Sequence, residues 1–188
     1  MSAACYLSKS GYDVHVFEKN NSLGGRAAQF KANGFTFDMG PSWYWMPDVF
    51  ERFFNDFGKS SKNFYQMKKL NPAYRVIFNK ENQIQIGDNI DNISSQFEKI
   101  EKGSGEKLKK FLKESKENYD LAVTNMLYKM PGKSIFELIN SKTILKVNLF
   151  FSNIKNDIEK RFKDSILRSV LQFPVLFLGA KPTNTQAF

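Results

Sequence analysis

The run Val14-His15-Val16-Phe17, closed by Glu18, constrains this chain more than any other feature of its 188 residues. Its residues are β-branched or aromatic with no breaker among them, the pattern of a strand covered on both faces in an α/β sheet. Ahead of it, SAACYLSKS (residues 2–10) sets small and apolar side chains where a helix packs closely on a sheet, and Gly11 suits the left-handed conformation that ends a helix. Behind it, the polar loop KNNSLGGR closes on Gly24, Gly25 and Arg26. Helix, strand, terminal acid and glycine pair follow one another as in the later part of a nucleotide-binding βαβ unit.

In such a unit, glycines after the first strand let the backbone approach a pyrophosphate at a helix N-terminus, and an acid about 20 positions later binds the ribose hydroxyls. Glu18 stands where that acid belongs, and counting back puts the phosphate loop just ahead of Met1. A strand-end carboxylate alone is a weak signal, because most such groups are simply solvated. The neighbouring loop strengthens it. Gly24 and Gly25 have no side chains to keep a cofactor phosphate away, and the Arg26 guanidinium can add charge-assisted hydrogen bonds.

Further along, RAAQF and GFTFD read as two short strands joined at Lys31-Ala32-Asn33-Gly34, and a second hairpin is expected at residues 74–78 and 83–86. Beyond Asp91 the pattern turns helical. Leu108, Phe111, Leu112, Tyr119, Ala122 and Met126 share one face, with Lys109, Lys110, Lys113 and Lys116 mostly elsewhere. Ile154, Ile158, Phe162, Ile166 and Val170, four residues apart, suggest a second amphipathic stretch. The compositional change near residue 90 is the one candidate domain boundary.

Lys and Arg number 28 against 19 Asp and Glu, a formal charge of +9 that permits attraction to an anionic membrane surface. No nucleic-acid-binding module accompanies the charge, so nucleic acid is not an expected partner. Cys5 cannot form an internal disulfide and no secretory leader pattern opens the chain, which makes a cytoplasmic setting the default expectation. The apolar stretches are far shorter than the roughly 20 residues needed to span a bilayer, so membrane contact is expected to be peripheral. Cys5 reads as a small buried helix residue, and His15 as packed or partly exposed with no metal role. Gly132-Lys133-Ser134 imitates the end of a phosphate loop but has Leu127 where the first glycine is required. Trp43, Tyr44, Trp45 and Met46 form a dense aromatic group that suits either core packing or the lining of an apolar channel.

The stretch ACYLSKSGYDVHVFEKNNSLGGRAAQFKANGFTFDMGPSWYWMPDVF resembles the N-terminal region of the bacterial-type phytoene desaturases, amine-oxidase-like flavoenzymes. The likeness is strong over the first sixty residues, with FDMGPSW its most specific part, and returns at LFLGAKP (residues 176–182). It implies FAD as cofactor, bound by Glu18, Gly24, Gly25 and Arg26, with the turn Gly40, Pro41, Ser42 between flavin and substrate. It further implies dehydrogenation of a long, phytoene-like polyene in carotenoid biosynthesis, with a C30 desaturase or a carotenoid ketolase or oxidase of the same fold as alternatives. No catalytic base is identifiable. The expected fold is mixed α/β (α+β): a truncated Rossmann-like FAD-binding part at residues 1–90, lacking its first strand and GxGxxG loop, then a mainly helical substrate and membrane-association part at residues 91–188. On that reading the chain is an N-terminal fragment, inactive by itself and weak in FAD retention. A non-enzymatic module that binds membrane surfaces through its basic helices is the alternative from another class.

Overall fold

A computed structural model describes residues 1–40, 43–127 and 152–187. The chain divides into two compact units, Met1–Lys68 and Lys69–Phe188.

In the first unit, helix α1 (Ser2–Lys9) ends as the sequence predicts. Gly11 takes φ +87°, its N–H donates to the Ser8 carbonyl at 3.0 Å, and the Tyr12 N–H donates to the Leu7 carbonyl at 3.1 Å. These paired bonds satisfy two carbonyls that a helix end leaves open. The anticipated strand at residues 14–17 is not one among the described residues: the segment pairs with no other strand, and Phe17 is 94% exposed. A strand is defined by its neighbours, and side-chain pattern supplies a preference without supplying the ladder. The expectation of a strand covered on both faces is therefore corrected. Cys5 is half-buried, and His15 is exposed beside Asp13 at 3.3 Å.

The first hairpin follows its turn chemistry. Strands β1 (Ala28–Ala32) and β2 (Phe35–Met39) pair antiparallel, with Ala32 opposite Phe35 and Ala28 opposite Met39. Asn33 and Gly34, at φ +51° and +82°, form the two-residue connection, both in the left-handed region that such turns demand. One face of this ribbon carries Ala28, Phe30, Ala32, Phe35, Phe37 and Met39, the other Gln29, Lys31, Thr36 and Asp38. Helix α2 (Pro47–Asp56) starts with proline at its first turn and gathers Tyr6, Phe53 and Phe57 into one aromatic group.

The second unit holds the core. Strands β3 (Tyr74–Ile77) and β4 (Gln83–Ile86) form the second hairpin at the predicted place. Helices α3 (Ile90–Ile100), α4 (Ser104–Tyr119), α5 (Ile154–Arg161), α6 (Ser165–Gln172) and α7 (Pro174–Phe177) follow, and a π-helical segment, Asp120–Leu127, extends α4. Ile84, Phe97, Leu108, Ile158, Phe162, Leu167 and Val170 are buried together, with Val76, Ile86 and Phe111 packed against them. Because the hairpin contributes Ile84 to this core, the compact units part at Lys68 and Lys69, ahead of the compositional change near residue 90. Leu112 departs from the predicted apolar face and is 42% exposed.

The four-residue period from Ile154 to Val170 does mark core positions, but not one helix. Phe162 is extended at φ −119°, ψ 134°, and Asp164 caps α6 through bonds from the Ile166 and Leu167 N–H groups. The break is held by Glu101, at the end of α3. One carboxylate oxygen accepts from the N–H of Lys163 at 2.8 Å and of Asp164 at 3.0 Å, and the other accepts from Lys107 Nζ at 2.7 Å. Burial opposes ionisation of Glu101, but these donors outweigh it and hold the carboxyl at about 2 against an ordinary 4.5. A lowered folded-state pKa stabilises the fold above the unfolded value and loses that contribution as acid protonates the folded group. Glu101→Gln is expected to cost about 2 kcal/mol at neutral pH and to flatten the stability profile between pH 4.5 and about 2. Urea titrations across that range check both, and an unchanged profile contradicts the role given to this carboxylate.

Candidate functional site

The β1–β2 pairing brings two of the predicted site segments together. Arg26 precedes β1 and Gly40 follows β2, so the open end of the hairpin sets them side by side. Contact is direct at the backbone: a Cβ on Gly40 would collide with the Arg26 carbonyl oxygen, and Gly40 has φ +107°. Only a residue without a side chain fits both conditions.

The glycine pair has its own geometry. Gly24 sits at φ +114°, where a Cβ would approach the Ala27 carbonyl oxygen to 2.8 Å, and its own carbonyl accepts the Ala27 N–H at 3.0 Å. Gly25, at φ +57°, faces open space. The loop is thus a tight, exposed turn whose backbone is accessible and whose next residue, Arg26, has no ion-pair partner among the described residues. That is a chemistry suited to phosphate oxygens.

Glu18 is exposed, and its Oε1 accepts from the Asn20 backbone N–H and from Asn20 Nδ2, both at 2.8 Å. Among the described residues Asn20 is its hydrogen-bonding partner, which leaves Oε2 open to hydroxyl donors. Pro41 and Ser42 lie outside the described residues, as does Gly132-Lys133-Ser134. The structure therefore joins Gly24, Gly25, Arg26 and Gly40 through one hairpin end and gives Glu18 a separate anchor. The donors and acceptors fit a dinucleotide: a free carboxylate oxygen for ribose, a bare backbone turn and a cation for phosphate.

Beyond Gly40 the aromatic segment separates into two parts. The Tyr44 ring packs on Phe50 at 4.6 Å and on Tyr65 at 5.8 Å, and its hydroxyl bonds the Tyr65 hydroxyl. Burial first, then that bond and the nearby Glu51 charge, push the phenol above its usual range. Trp43 and Trp45 instead stack on one another, centroids 6.0 Å apart and planes 22° from parallel.

Comparison with known proteins decides the lineage. Residues 1–57 match the model of the NAD(P)-binding Rossmann-like domain. The whole chain is 38% identical to a carotenoid 3,4-desaturase of Haloarcula japonica, of which it covers 38%. It is 31% identical over 97% of its length to a 4,4'-diapophytoene desaturase (4,4'-diaponeurosporene-forming) of Staphylococcus haemolyticus, covering 36% of that protein. The corresponding protein of Staphylococcus aureus is 29% identical, with 97% and 36% covered.

Over its whole length this chain is similar to carotenoid desaturases. It spans somewhat over a third of the length of the curated relatives it matches. Its fold is a mixture of helices and small sheets that includes a Rossmann-like, dinucleotide-binding domain. No helix among the described residues is long and apolar enough to cross a membrane.

The hairpin-end contact makes a sharp distinction between two glycines of this chain. Gly40→Ala meets both the left-handed backbone and the Arg26 carbonyl and should cost about 3 kcal/mol, whereas Gly25→Ala meets only the backbone penalty, about 1 kcal/mol. Urea unfolding of the full-length protein measures both, and equal costs would remove Gly40 from its place against Arg26.

Proposed function

We propose that this protein acts in FAD-dependent desaturation of a long apolar polyene in carotenoid biosynthesis. The observation that carries the reading is the hairpin end where Gly24, Gly25 and Arg26 meet Gly40, in a chain aligned along its length with desaturases of carotenoids and of 4,4'-diapophytoene. Glu18 would hold the adenosine ribose through Oε2, with Asn20 fixing the carboxylate from the other oxygen. Gly24 and Gly25 would admit the diphosphate to the backbone, and Arg26 would offset its charge. The turn Gly40, Pro41, Ser42 would lie between cofactor and substrate. FAD would supply the hydride acceptor; the remaining work of the chain is to orient the substrate and exclude water.

The preferred substrate is a phytoene-like C40 hydrocarbon, with a C30 desaturation or a ketolase or oxidase reaction of the same fold as the second reading. The diapophytoene desaturases among the relatives favour keeping C30 open. A hydrocarbon of that length resides in a bilayer, so peripheral membrane contact on the cytoplasmic side belongs to the same proposal. Residues 91–188 would then serve the mainly helical substrate side, with Phe97, Leu108, Ile158, Phe162, Leu167 and Val170 buried in a core.

The test is the full-length protein, purified with its flavin and given phytoene or 4,4'-diapophytoene in liposomes. New visible absorption from extended conjugation is expected, with the chain length of the better substrate deciding between C40 and C30. Absence of bound flavin and of any desaturated product would defeat the reading. Glu18→Gln in the same protein should weaken FAD binding by about tenfold through loss of charge-assisted ribose bonds; unchanged affinity by flavin fluorescence would leave Glu18 without a role.

A further inference from the structure

Glu18 and Asn20 form a pair whose geometry is set locally, since Asn20 stands two residues further along the same loop. Asn20 offers the carboxylate two donors, its backbone N–H and its side-chain amide, and both go to one oxygen, Oε1, at 2.8 Å each. A carboxylate has about four lone-pair sites, two on each oxygen. Oε1 is therefore filled, and among the described residues Oε2 accepts no hydrogen bond. Both residues are exposed, so the two sites left on Oε2 are open to a solute. Two acceptor sites on a single oxygen match a vicinal cis-diol, whose hydroxyls are carried by neighbouring carbons and converge on one side of the ring.

We propose that Asn20 sets the hydroxyl specificity of the dinucleotide site: by filling Oε1 it directs both hydroxyls of the adenosine ribose onto Oε2, so that the site reads the intact diol instead of a single hydroxyl. The inference rests on the FAD reading above, in which Glu18 faces that ribose, and gives a separate task to the residue beside it. Its physical basis is ordering before binding. A free glutamate side chain gives up torsional freedom when it grips a ligand, whereas one already tied by two bonds has little left to lose. Without the Asn20 amide, Glu18 turns about its outer torsions, either oxygen meets either hydroxyl or water, and the second hydroxyl adds less. Asn20 is thus a positioning residue, acting on the ribose through Glu18.

The experiment uses the full-length protein, stripped of flavin and titrated by fluorescence with FAD and with two analogues that lack the 2′- or the 3′-hydroxyl of the adenosine ribose. The wild type is compared with Asn20→Ala, which removes the amide, and with Asn20→Asp, which keeps its size and removes its N–H donors. The wild type should prefer FAD over each analogue by about tenfold. In both variants that preference should shrink to about threefold or less, because the loss couples the residue to the hydroxyl it helps to place. A loop that was merely loosened would weaken FAD and both analogues by the same factor and leave the preference intact.

Unchanged preference in either variant, whatever happens to overall affinity, overturns the role of Asn20. The wild type alone supplies a second test: discrimination against the loss of only one of the two hydroxyls overturns the diol assignment without recourse to any variant. Wild-type protein that binds FAD and both analogues equally takes Glu18 off the ribose, and wild-type protein that binds no flavin brings down the FAD reading itself. Both of those results are distinguishable from a ribose preference that ignores Asn20.

Discussion

Backbone pairing across β1 and β2 is what turns a set of scattered sequence signals into a site. The register that places Ala28 opposite Met39 leaves Arg26 and Gly40 no choice but to meet, and the missing Cβ of Gly40 is what lets them do so. A shift of register by one residue would turn Phe30, Phe35 and Phe37 to the polar face and separate the glycine loop from the Gly40 turn. The two left-handed residues of the connection, Asn33 and Gly34, fix that register from the other end. Turn chemistry seven residues away thus determines where the Arg26 cation is presented.

A comparable economy organises the helical unit. Glu101 ends α3, yet its carboxylate closes the open N–H groups where the chain passes from α5 to α6, and Lys107 of α4 meets it from a third side. Arg161 adds a second tie, donating to Glu114 at 2.5 Å and Asp157 at 3.0 Å while lying over the Phe111 ring. Between these two ionic clamps sit Phe97, Phe111 and Phe162, edge to face. Apolar burial supplies most of the stabilisation, and the charged groups choose which helix ends meet.

Much of this was legible in residue order because its causes are local. The Asn33-Gly34 turn, the alternation on either side of it, Gly11 after α1 and the spacing of Ile158, Phe162 and Val170 each act within a few residues. The run at residues 14–17 departs from its pattern for the opposite reason: hydrogen bonding in a sheet is a property of two segments, and Phe17 stands in solvent among the described residues. The α5–α6 break was hidden by a core periodicity that continues straight through it, although Asp164 ahead of Ile166 is a capping signal in plain sight. The bond between the Tyr44 and Tyr65 hydroxyls could not be read at all, since its partners stand twenty-one residues apart.

The distribution of charge bears on how a protein of this kind reaches a hydrocarbon. Of the four lysines that gave α4 its basic aspect, Lys109 pairs with Asp91 and Glu106, Lys116 with Asp120, and Lys110 lies 4.0 Å from Glu114. The apolar side of that helix is spent as well, with Leu108 buried in the core. An amphipathic helix docks on a membrane by offering both a cationic rim and an apolar face, and α4 has committed part of one and most of the other. The first unit is arranged the other way round. Phe30, Phe35, Phe37 and Met39 stand exposed on one side of the hairpin, on a ribbon whose opposite side is polar. The exposed apolar residues of the first unit thus lie on the strand pair that leads into Gly40, while three of the four α4 lysines stand within ion-pair distance of acidic groups.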